Sequence, residues 1–509
     1  MIPISRDHNP FDRTGTHVDD RGRTCYDDLP ETLLAALSAR VDAAPDDEAV
    51  AELGGERLTY RQLWDRAARV AGGLRAQGVE DGDRVAVRYP AGTDWVLAFY
   101  GIIMAGGIAV AVNTRSAEPE VRFVLDDSGA RVDLAPGIEL PDGEPYVAQN
   151  LTADTVAAMF YTSGTTGSPK GVPTNHLAFV SNAVTMVRTL GIPDDIGAGL
   201  RTLISVPLFH VTGCNSQLLV ATLCGGAAVI MPALDRAGLV TALTEERINF
   251  LVTVPAVYAL LLRTPGFDEA DRSQVRWVGY GGAPIAPTLV QALQEAFPAA
   301  EVFNGYGMTE TASLITVLPT SDAVKHADSV GYAVPTVDLG VDPRDPDDPS
   351  YGELVVRGPN VTLGYWDRPE ATRATIDDEG WLHTGDIVSV DDAGRVHIVD
   401  RIKDIIIRGG ENISSIEVEA ALVAAPGVLE AAVIAVPDDV MGEKVGAVVF
   451  GGEDTPEPAA VIEACQAALA DFKVPQYLVV SEIPLPRNAG GKLLKGKLRD
   501  TVEWGAPLR

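Results

Sequence analysis

Residues 161–171 read YTSGTTGSPKG, a run of glycines and hydroxyls that ends in a lysine. Glycine lets a backbone N–H come close to an anion, hydroxyls add hydrogen-bond donors, and lysine adds positive charge. The run therefore predicts a site that holds phosphate groups. It differs from the common nucleotide-binding loop, because Gly171 stands where that loop has a magnesium-binding hydroxyl and Pro169 has no N–H to offer.

The residues around this run predict how it is held. Residues 156–162 (VAAMFYT) are apolar and predict a buried strand, and the first helix start after the run is Thr174 or Asn175. The sequence thus predicts a strand followed by a mobile loop. A flexible linker is the alternative interpretation, and it is disfavoured because the glycines, hydroxyls and lysine directly follow an apolar strand.

Four further segments combine glycines with polar residues in the same way. They are GYGGAP (279–284), NGYGMTET (304–311), GWLHTGD (380–386) and DRIKDIIIRGGENIS (400–414). Each alone is compatible with a tight turn. In this order and at these distances, the five segments together resemble the adenylate-forming superfamily of acyl- and aryl-CoA synthetases, carrier-protein adenylation domains and luciferases. The resemblance spans about residues 35–500 and is most like a bacterial-type acyl-CoA synthetase.

The resemblance implies a ligase that works in two steps. A carboxylate is a poor electrophile until one of its oxygens becomes a good leaving group. The family first transfers AMP from ATP to the acid, which releases pyrophosphate, and then exchanges AMP for a thiol, usually that of CoA. The implied cofactors are therefore ATP, Mg²⁺ and CoA, and the implied substrate is a small carboxylic acid.

The resemblance also implies roles for the residues that contact ATP. The residues that close over the departing phosphates are Thr162, Ser163, Gly164, Thr165, Thr166 and Lys170. Glu310 would hold Mg²⁺ with Thr309 beside the phosphates, although a glutamate there also suits a helix start. The residues that would bind adenosine are Gly281, Gly282, Ala283, Pro284, Asn304, Tyr306, Asp386 and Arg401. A turn-forming Asp and a surface Arg are the alternatives for the last two.

Three further implied roles fall in the C-terminal part of the chain. Lys492, in the segment PRNAGGK, matches the lysine that contacts the carboxylate and the α-phosphate in the first step. The family commonly has Ser or Thr where this chain has Asn488 and Gly490, so the match is looser there. Lys403 matches the hinge about which the small domain rotates between the two steps. The residues implied to meet CoA are Gly409 and Gly410.

The acid is predicted to be apolar, medium-chain or cyclic. Amino-acid-activating relatives carry an Asp near the start of the pocket that pairs with the α-amine, and this chain has His210 in the corresponding stretch PLFHVTG (207–213). His210 is either a pocket wall residue or a core histidine. The other predicted wall residues are Val254, Gly281, Gly305 and Met308, where the glycines would leave room.

The acceptor and the catalytic competence each have alternatives. A separate carrier protein is the alternative to free CoA, and no carrier domain or phosphopantetheine site follows Lys492 in the given sequence. A nucleotide-dependent regulator without chemistry is disfavoured, because Lys170, Glu310, Asp386, Arg401 and Lys492 are all present. A homo-oligomer is compatible with the sequence.

The order of helices and strands predicts the fold that positions these residues. Thr59 and Gln62 form a capping box, and strands at 84–89, 201–209, 227–231, 249–254 and 276–282 alternate with helical patterns, which predicts a mostly parallel sheet. Short strands after about residue 350 favour a small barrel or an antiparallel sheet. The prediction is an α/β protein: a large N-terminal domain of layered βα sub-domains with a small barrel-like sub-domain (1–402), and a small mobile α+β C-terminal domain (403–509).

The bulk composition excludes several classes of partner. The net charge of −31 over 509 residues argues against nucleic acid, and the cations of 487–499 are either a solvated face or a group kept for phosphates. The four cysteines form no metal or C-x-x-C spacing and favour a reducing, cytoplasmic location. The N-terminus has no signal-peptide pattern. Residues 95–112 lack charge, yet glycines divide them into a predicted helix (94–105) and strand (108–112) of a buried core rather than a transmembrane segment.

Overall fold

Helices and strands alternate over the first two thirds of the chain, and strands dominate much of the remainder. The computed structural model describes residues 1–162, 169–345, 348–452, 455–487 and 493–508. The strands, in chain order, are β1 (Ile2–Pro3), β2 (Thr16–Val18), β3 (Thr24–Tyr26), β4 (Glu48–Glu52), β5 (Arg57–Thr59), β6 (Arg84–Val87), β7 (Ile108–Ala111), β8 (Val132–Leu134), β9 (Val156–Thr162), β10 (Lys170–Asn175), β11 (Arg201–Ile204), β12 (Ala227–Ile230), β13 (Phe250–Thr253), β14 (Trp277–Gly281), β15 (Glu301–Met308), β16 (Ser313–Leu318), β17 (Tyr332–Ala333), β18 (Asp338–Asp345), β19 (Asp348–Arg357), β20 (Leu382–Val390), β21 (Val396–Arg401), β22 (Ile406–Arg408), β23 (Glu411–Ile413), β24 (Glu430–Asp438), β25 (Gly442–Phe450) and β26 (Tyr477–Val480).

The helices pack on the faces of the sheets that these strands form. They are α1 (Leu33–Ala43), α2 (Tyr60–Ala76), α3 (Thr93–Met104), α4 (Glu118–Ser128), α5 (His176–Thr189), α6 (Val211–Gly213), α7 (Leu219–Cys224), α8 (Arg236–Glu245), α9 (Pro255–Leu261), α10 (Pro287–Ala296), α11 (Thr320–Ala323), α12 (Pro369–Thr375), α13 (Ser415–Val423), α14 (Pro458–Ala468) and α15 (Lys495–Thr501). A π-helical segment, Cys214–Leu218, joins α6 to α7. The predicted capping box of Thr59 and Gln62 is present at the start of α2.

The first sheet has the order β10-β9-β7-β6-β8. Its β9, β7, β6 and β8 are parallel, as predicted for βα units, and β10 runs antiparallel to β9. Residues 170–173 were expected to belong to the loop and are instead part of strand β10, because pairing with β9 satisfies their backbone groups. The helix that follows begins after its N-cap Asn175, as predicted.

The second sheet has the order β17-β16-β15-β14-β13-β11-β12-β4-β5. The six strands from β15 to β4 are parallel, and the pairs at both edges are antiparallel. The strand predicted over 201–209 is shorter than expected, since β11 ends at Ile204 and the chain then leads into α6. The carboxyl ends of β13, β14 and β15 lie together at one edge, which is where ligands bind in open parallel sheets.

The third sheet, β1-β18-β19-β20-β21, is antiparallel. It agrees with the expected barrel or antiparallel sheet. The last sheet contains β22 to β26 with helices α13, α14 and α15 beside it. Its two apolar clusters draw only on residues from Ile406 onward, whereas the other apolar clusters end at Ile398. The predicted α/β fold class is confirmed.

The uncharged segment 95–112 forms most of α3 and strand β7, as predicted. Every residue of α3 except Asp94 is buried in the core. Within the described ranges, no helix has both the length and the apolar character that a membrane crossing requires.

Candidate active site

The phosphate-loop segment leaves β9 and returns at the start of β10. The register of this antiparallel pair sets Thr162 directly opposite Lys170, and we call the paired strands β9 and β10 the phosphate hairpin. Ser163, Gly164, Thr165 and Thr166 lie outside the described residues. Their roles therefore stay predictions, while the positions of Thr162 and Lys170 at the base of the hairpin are fixed by the strands.

Tyr365 connects Lys170 to Glu310. The Lys170 ammonium lies 4.5 Å from the centroid of the Tyr365 ring, and the Tyr365 hydroxyl donates a hydrogen bond of 2.8 Å to Glu310 Oε1. Burial and the nearby Glu310 carboxylate raise the pKa of Tyr365 above its usual value, so the hydroxyl keeps its proton. The three side chains thus form one continuous contact, which no sequence motif pointed to.

The Glu310 carboxylate suits a bound cation. Glu310 is only 7% exposed, and the ion pairs among the described residues include none with it. A buried carboxylate without a positive partner is unfavourable. Mg²⁺ commonly takes one or two protein carboxylates and completes its shell with phosphate oxygens and water. The donor set therefore fits Mg²⁺, and Thr309 adjoins Glu310 in the 3₁₀ turn Thr309–Thr311.

A segment from Thr362 to Trp366 ties this turn to the phosphate hairpin. The Thr362 N–H donates to the Glu310 carbonyl at 2.7 Å, and the Thr362 hydroxyl donates to the Pro173 carbonyl at 2.8 Å. The Trp366 N–H donates to the Gly171 carbonyl at 2.8 Å. The aromatic pair Tyr365 and Trp366 after Gly364 is the sequence signal for this segment.

The backbone directly after Glu310 is strained. Ala312 has φ of 52° and Ser313 has φ of 117°, a region that side chains other than glycine rarely adopt. Buried amide side chains hold this turn: Asn215 donates to the Ala312 carbonyl at 2.7 Å, and Asn360 donates to the Thr311 and Leu314 carbonyls at 3.0 Å each. The strain persists because these bonds determine the conformation from several sides.

Asn360→Ala is expected to lower the free energy of unfolding by about 2–4 kcal/mol, because it removes the side-chain donor that two buried carbonyls share. Asn360 is 2% exposed, so water does not reach the site easily. Urea denaturation measures the change, and the exposed Asn150→Ala, expected within about 0.5 kcal/mol of the unsubstituted protein, is the matched control. A loss below about 1 kcal/mol for Asn360→Ala would contradict the conclusion that Asn360 holds the turn after Glu310.

The predicted adenine turn follows β14. Gly281 faces Gly305 across the parallel pair, and a Cβ at Gly281 would stand 2.2 Å from the Gly305 carbonyl oxygen. Gly281 therefore permits close contact of the strands rather than opening room. Gly282 has φ of 74°, which favours glycine, and Ala283 and Pro284 are exposed beyond it.

Asn304 precedes Gly305 on β15, so its side chain points to the opposite face of the sheet. There it is buried and donates to the Ser329 carbonyl at 3.3 Å. The structure therefore does not bring the Asn304 amide to the face that Gly281 and Gly305 share, and its part in nucleotide binding stays a prediction.

Tyr306, Asp386 and Arg401 form one network between the second and third sheets. Tyr306 donates to Asp386 Oδ2 at 2.6 Å, and Arg401 Nε lies 2.9 Å from Asp386 Oδ1. Asp386 and Arg401 face each other across β20 and β21. Burial and the Asp386 carboxylate raise the pKa of Tyr306 well above its usual value. Three of the predicted adenosine ligands are thus brought together, with Asp386 at the centre.

The predicted acid-pocket residues are only partly gathered. His210 precedes α6 with its ring 4.8 Å from that of Phe209, and its Nε2 is buried without a hydrogen-bond partner in the described part of the chain. Burial, with Arg115 nearby, lowers the pKa of His210 to about 4, so the ring is neutral at pH 7. Met308 packs against the core on one face of the second sheet, whereas Val254 packs against the core on the other.

The space at Gly305 and at Gly279 is bounded by neighbouring side chains. A Cβ on Gly305 would stand 3.1 Å from Leu314 Cδ1, and a Cβ on Gly279 would stand 2.4 Å from Phe303 Cζ. Gly279 and Gly281 lie on the same face of the sheet because they are two residues apart on β14. Gly305 lies on that face too, because it is the partner of Gly281 across β14 and β15. The room on this face is therefore limited in depth.

The C-terminal candidates occupy turns. Lys403 lies between β21 and β22 with its ammonium 3.9 Å from Asp404. Gly409 and Gly410 have φ of 60° and 93°, and the Gly409 N–H donates to the Met441 carbonyl at 2.8 Å. Lys492 lies outside the described residues, so its role stays a prediction.

Three of the four cations in the described part of the stretch 487–499 form ion pairs, and the fourth is Lys497. Lys495 pairs with Glu419 at 2.7 Å, and Arg487 and Arg499 lie 3.5 Å from Glu430 and Asp404. These pairs hold the stretch against the C-terminal sheet and its helices.

Comparison with known proteins identifies the family. Residues 37–150 and 133–366 match the family described as AMP-binding enzyme, and residues 417–492 match the AMP-binding enzyme C-terminal domain. The long-chain-fatty-acid–CoA ligase FadD13 of Mycobacterium tuberculosis is 35% identical over 506 residues, covering 92% of this chain and 98% of the relative. A feruloyl-CoA synthase of an Amycolatopsis species is 36% identical over 472 residues, covering 88% and 94%.

A solved structure resembles the fold over nearly the whole chain. The O-succinylbenzoate coenzyme A synthetase MenE of Bacillus subtilis, in complex with ATP and a magnesium ion, has a TM-score of 0.81 and 29% identity, covering 91% of this chain and 99% of that one. The chain therefore belongs to the AMP-binding enzyme family as an ATP-dependent acid:CoA ligase, whose cofactors are ATP, Mg²⁺ and CoA.

Proposed function

We propose that this ligase activates an apolar carboxylic acid, medium-chain or cyclic, as its acyl-AMP and then transfers the acyl group to free CoA. The observation that carries the first step is the contact of Lys170, Tyr365 and Glu310, in which a buried carboxylate without an ion-pair partner in the described residues lies beside the phosphate hairpin. This arrangement supports binding of a nucleotide with its cation.

The first half-reaction joins a carboxylate oxygen of the acid to the α-phosphorus of ATP and breaks the bond to pyrophosphate. Lys170, at the base of the hairpin, places its positive charge where the charge of the departing phosphates develops, which lowers the barrier. Glu310 would hold Mg²⁺, which supplies further charge neutralisation on the phosphate oxygens. Thr162 to Thr166 close over the departing group, and Thr309 adds a hydroxyl. Lys492 stabilises the acid carboxylate and the α-phosphate.

Adenosine is proposed to bind at the carboxyl ends of β14 and β15. The turn Gly281–Pro284 and Tyr306 would bound the adenine. Asn304 precedes Tyr306 by two residues on β15 and would have to leave its bond to the Ser329 carbonyl to contact the nucleotide. Asp386, held from both sides by Tyr306 and Arg401, would accept hydrogen bonds from the ribose hydroxyls. The fixed orientation of this carboxylate supports the assignment, because a pre-positioned acceptor loses little freedom on binding.

The acid pocket is proposed to lie on the glycine-bearing face of the second sheet. His210 is neutral, and Met308 and Gly305 are uncharged, so these three residues offer no carboxylate to an α-amine. Val254 packs on the other face of the sheet and is left out of this pocket. Leu314 and Phe303 limit the depth at Gly305 and Gly279. These features favour a compact apolar acid over an extended chain or an amino acid.

The domain boundary is proposed at 402/403, with Lys403 as the hinge. The separate apolar clusters on either side support it, because two bodies that share no core can rotate against each other. Rotation after the first step would replace Lys492 with the turn at Gly409 and Gly410, where CoA attacks the acyl carbon and AMP leaves.

A carrier-protein thiol is the alternative acceptor, and a homo-oligomer is compatible with the fold. We also propose a cytoplasmic location, which is supported by four free, buried cysteines, since reducing compartments keep thiols unpaired. Chromatography of the thioester product with CoA present distinguishes CoA from a carrier protein.

Hexanoic acid and 2-aminohexanoic acid provide a matched test of the acid class, because they differ only in the α-amine. Within a panel of about a hundred acids, apolar medium-chain or cyclic acids are expected to give AMP and an acyl-CoA. The amino acid is expected to react at least about tenfold more slowly, since the unpaired ammonium would be desolvated in the pocket. An α-amino acid that reacts as fast as the best apolar acid would overturn the proposal.

A further inference from the structure

Tyr365 contacts two residues that come from different parts of the chain. Its ring faces the Lys170 ammonium at 4.5 Å, and its hydroxyl donates to Glu310 Oε1 at 2.8 Å. A ring attracts a cation over its face and a phenol donates to a carboxylate, so one side chain satisfies both. The distance between the positive and the negative group is thereby set by the length of a tyrosine.

The backbone around Tyr365 is itself fixed. Its N–H donates to the Thr372 hydroxyl at 2.9 Å, and the next N–H, from Trp366, donates to the carbonyl of Gly171, the neighbour of Lys170. Gly364 has φ of 120°, and a Cβ there would stand 2.4 Å from Thr372 Cγ2. Tyr365 is therefore held by α12 on one side and by β10, the strand that carries Lys170, on the other.

The hydrogen bond also selects which carboxylate oxygen is available. Tyr365 occupies Oε1 of Glu310 and so leaves Oε2 to act as a ligand. Mg²⁺ requires nearly ideal octahedral geometry, which makes the orientation of a single protein carboxylate important. Groups that hydrogen-bond to metal ligands typically alter metal affinity about 10–100-fold when they are removed.

We propose that Tyr365 is a positioning residue for adenylation, which orients Glu310 toward the cation and holds Lys170 at a set distance from it. The inference rests on the proposed role of Glu310. It assigns separate tasks to the two parts of the side chain: the hydroxyl acts on the cation site, and the ring acts on the lysine that faces the phosphates.

Two substitutions separate these tasks. Tyr365→Phe removes the hydroxyl and keeps the ring, whereas Tyr365→Leu removes both. Tyr332→Phe is the matched control, because its hydroxyl donates to a carboxylate, Asp322, at 2.9 Å outside the site. The probes are Mn²⁺, whose free concentration is read by electron paramagnetic resonance, and α,β-methylene-ATP, which cannot release pyrophosphate.

Tyr365→Phe is expected to weaken Mn²⁺ binding about 10–100-fold in the presence of the analogue, and to leave analogue affinity at saturating Mn²⁺ within about twofold. Tyr365→Leu is expected to weaken both affinities. Unchanged Mn²⁺ affinity in Tyr365→Phe, or an equal loss in Tyr332→Phe, would overturn the inference. The same assay on Glu310→Gln tests the proposed cation ligand separately from the role of Tyr365. If that variant binds Mn²⁺ normally, the role proposed for Glu310 itself is wrong.

Discussion

The Lys403→Pro variant is expected to form acyl-AMP at close to the normal rate and to form acyl-CoA at least about a hundredfold more slowly, because a fixed hinge stops the change between the two arrangements. Proline holds φ near −65°, and it also restricts the residue before it. Acyl-AMP is measured by single-turnover release of pyrophosphate, and acyl-CoA by chromatography.

The loss of the Lys403 N–H in this variant is compatible with the described backbone hydrogen bonds. No hydrogen bond is donated by the Lys403 N–H within the described ranges, so proline removes no backbone bond there. The contacts that cross from β21 to α13 are polar: Ser414 donates to the Val399 carbonyl at 2.7 Å, and the Ser415 N–H donates to Asp400 at 2.5 Å. Lys403→Ala is the control, and it is expected to carry out both steps because the hinge stays free.

Lys492→Ala is expected to show the reverse pattern. It should fail to form acyl-AMP, because it lacks the charge that stabilises the α-phosphate, yet convert supplied acyl-AMP to acyl-CoA. If Lys403→Pro and Lys492→Ala lose the same half-reaction while remaining folded, the rotating-domain account is wrong. If proline lowers both steps equally, Lys403 is an ordinary surface lysine.

Lys170→Ala and Glu310→Ala are each expected to slow adenylation about 100–1000-fold, the usual effect of removing one group aimed at developing charge. The Lys170 ammonium lies over the Tyr365 ring and Glu310 is buried, so both charges have defined positions in the site. The measurement is acid-dependent release of pyrophosphate at saturating ATP.

The control for these two variants is Lys325→Ala, because Lys325 is exposed and is the other lysine before residue 403. It is expected to leave adenylation unchanged. Both active-site variants are expected to convert supplied acyl-AMP to acyl-CoA normally, since pyrophosphate has already left by then. Equal losses in both half-reactions would show a general structural defect instead.

The strands that were predicted best are apolar runs with clear ends. The run VAAMFYT becomes β9 without a change of bounds, because a continuous apolar run suits a strand buried on both faces. Strand β10 could not be predicted, since KGVPTN contains glycine, proline and asparagine, which are typical of turns. Pairing with β9 decides its structure, and Pro173 is tolerated because β10 is an edge strand.

The candidate site likewise contains residues that could be predicted from the sequence and residues that could not. Glu310, Asp386 and Lys170 stand in motifs that the sequence displays, so their chemistry could be inferred before the fold was known. Tyr365 and Asn360 could not be inferred, because their roles arise from contacts with residues that are far away along the chain. Such contacts leave no local periodicity, and only the packing of the sheets reveals them.

The most direct test of the central claim is a product balance with ATP, Mg²⁺, CoA and the best apolar acid. We expect AMP, pyrophosphate and acyl-CoA in equal amounts, with formation of all three dependent on the acid. Formation of ADP and phosphate in place of AMP and pyrophosphate, or an acyl-CoA that appears without loss of ATP, would contradict the central claim.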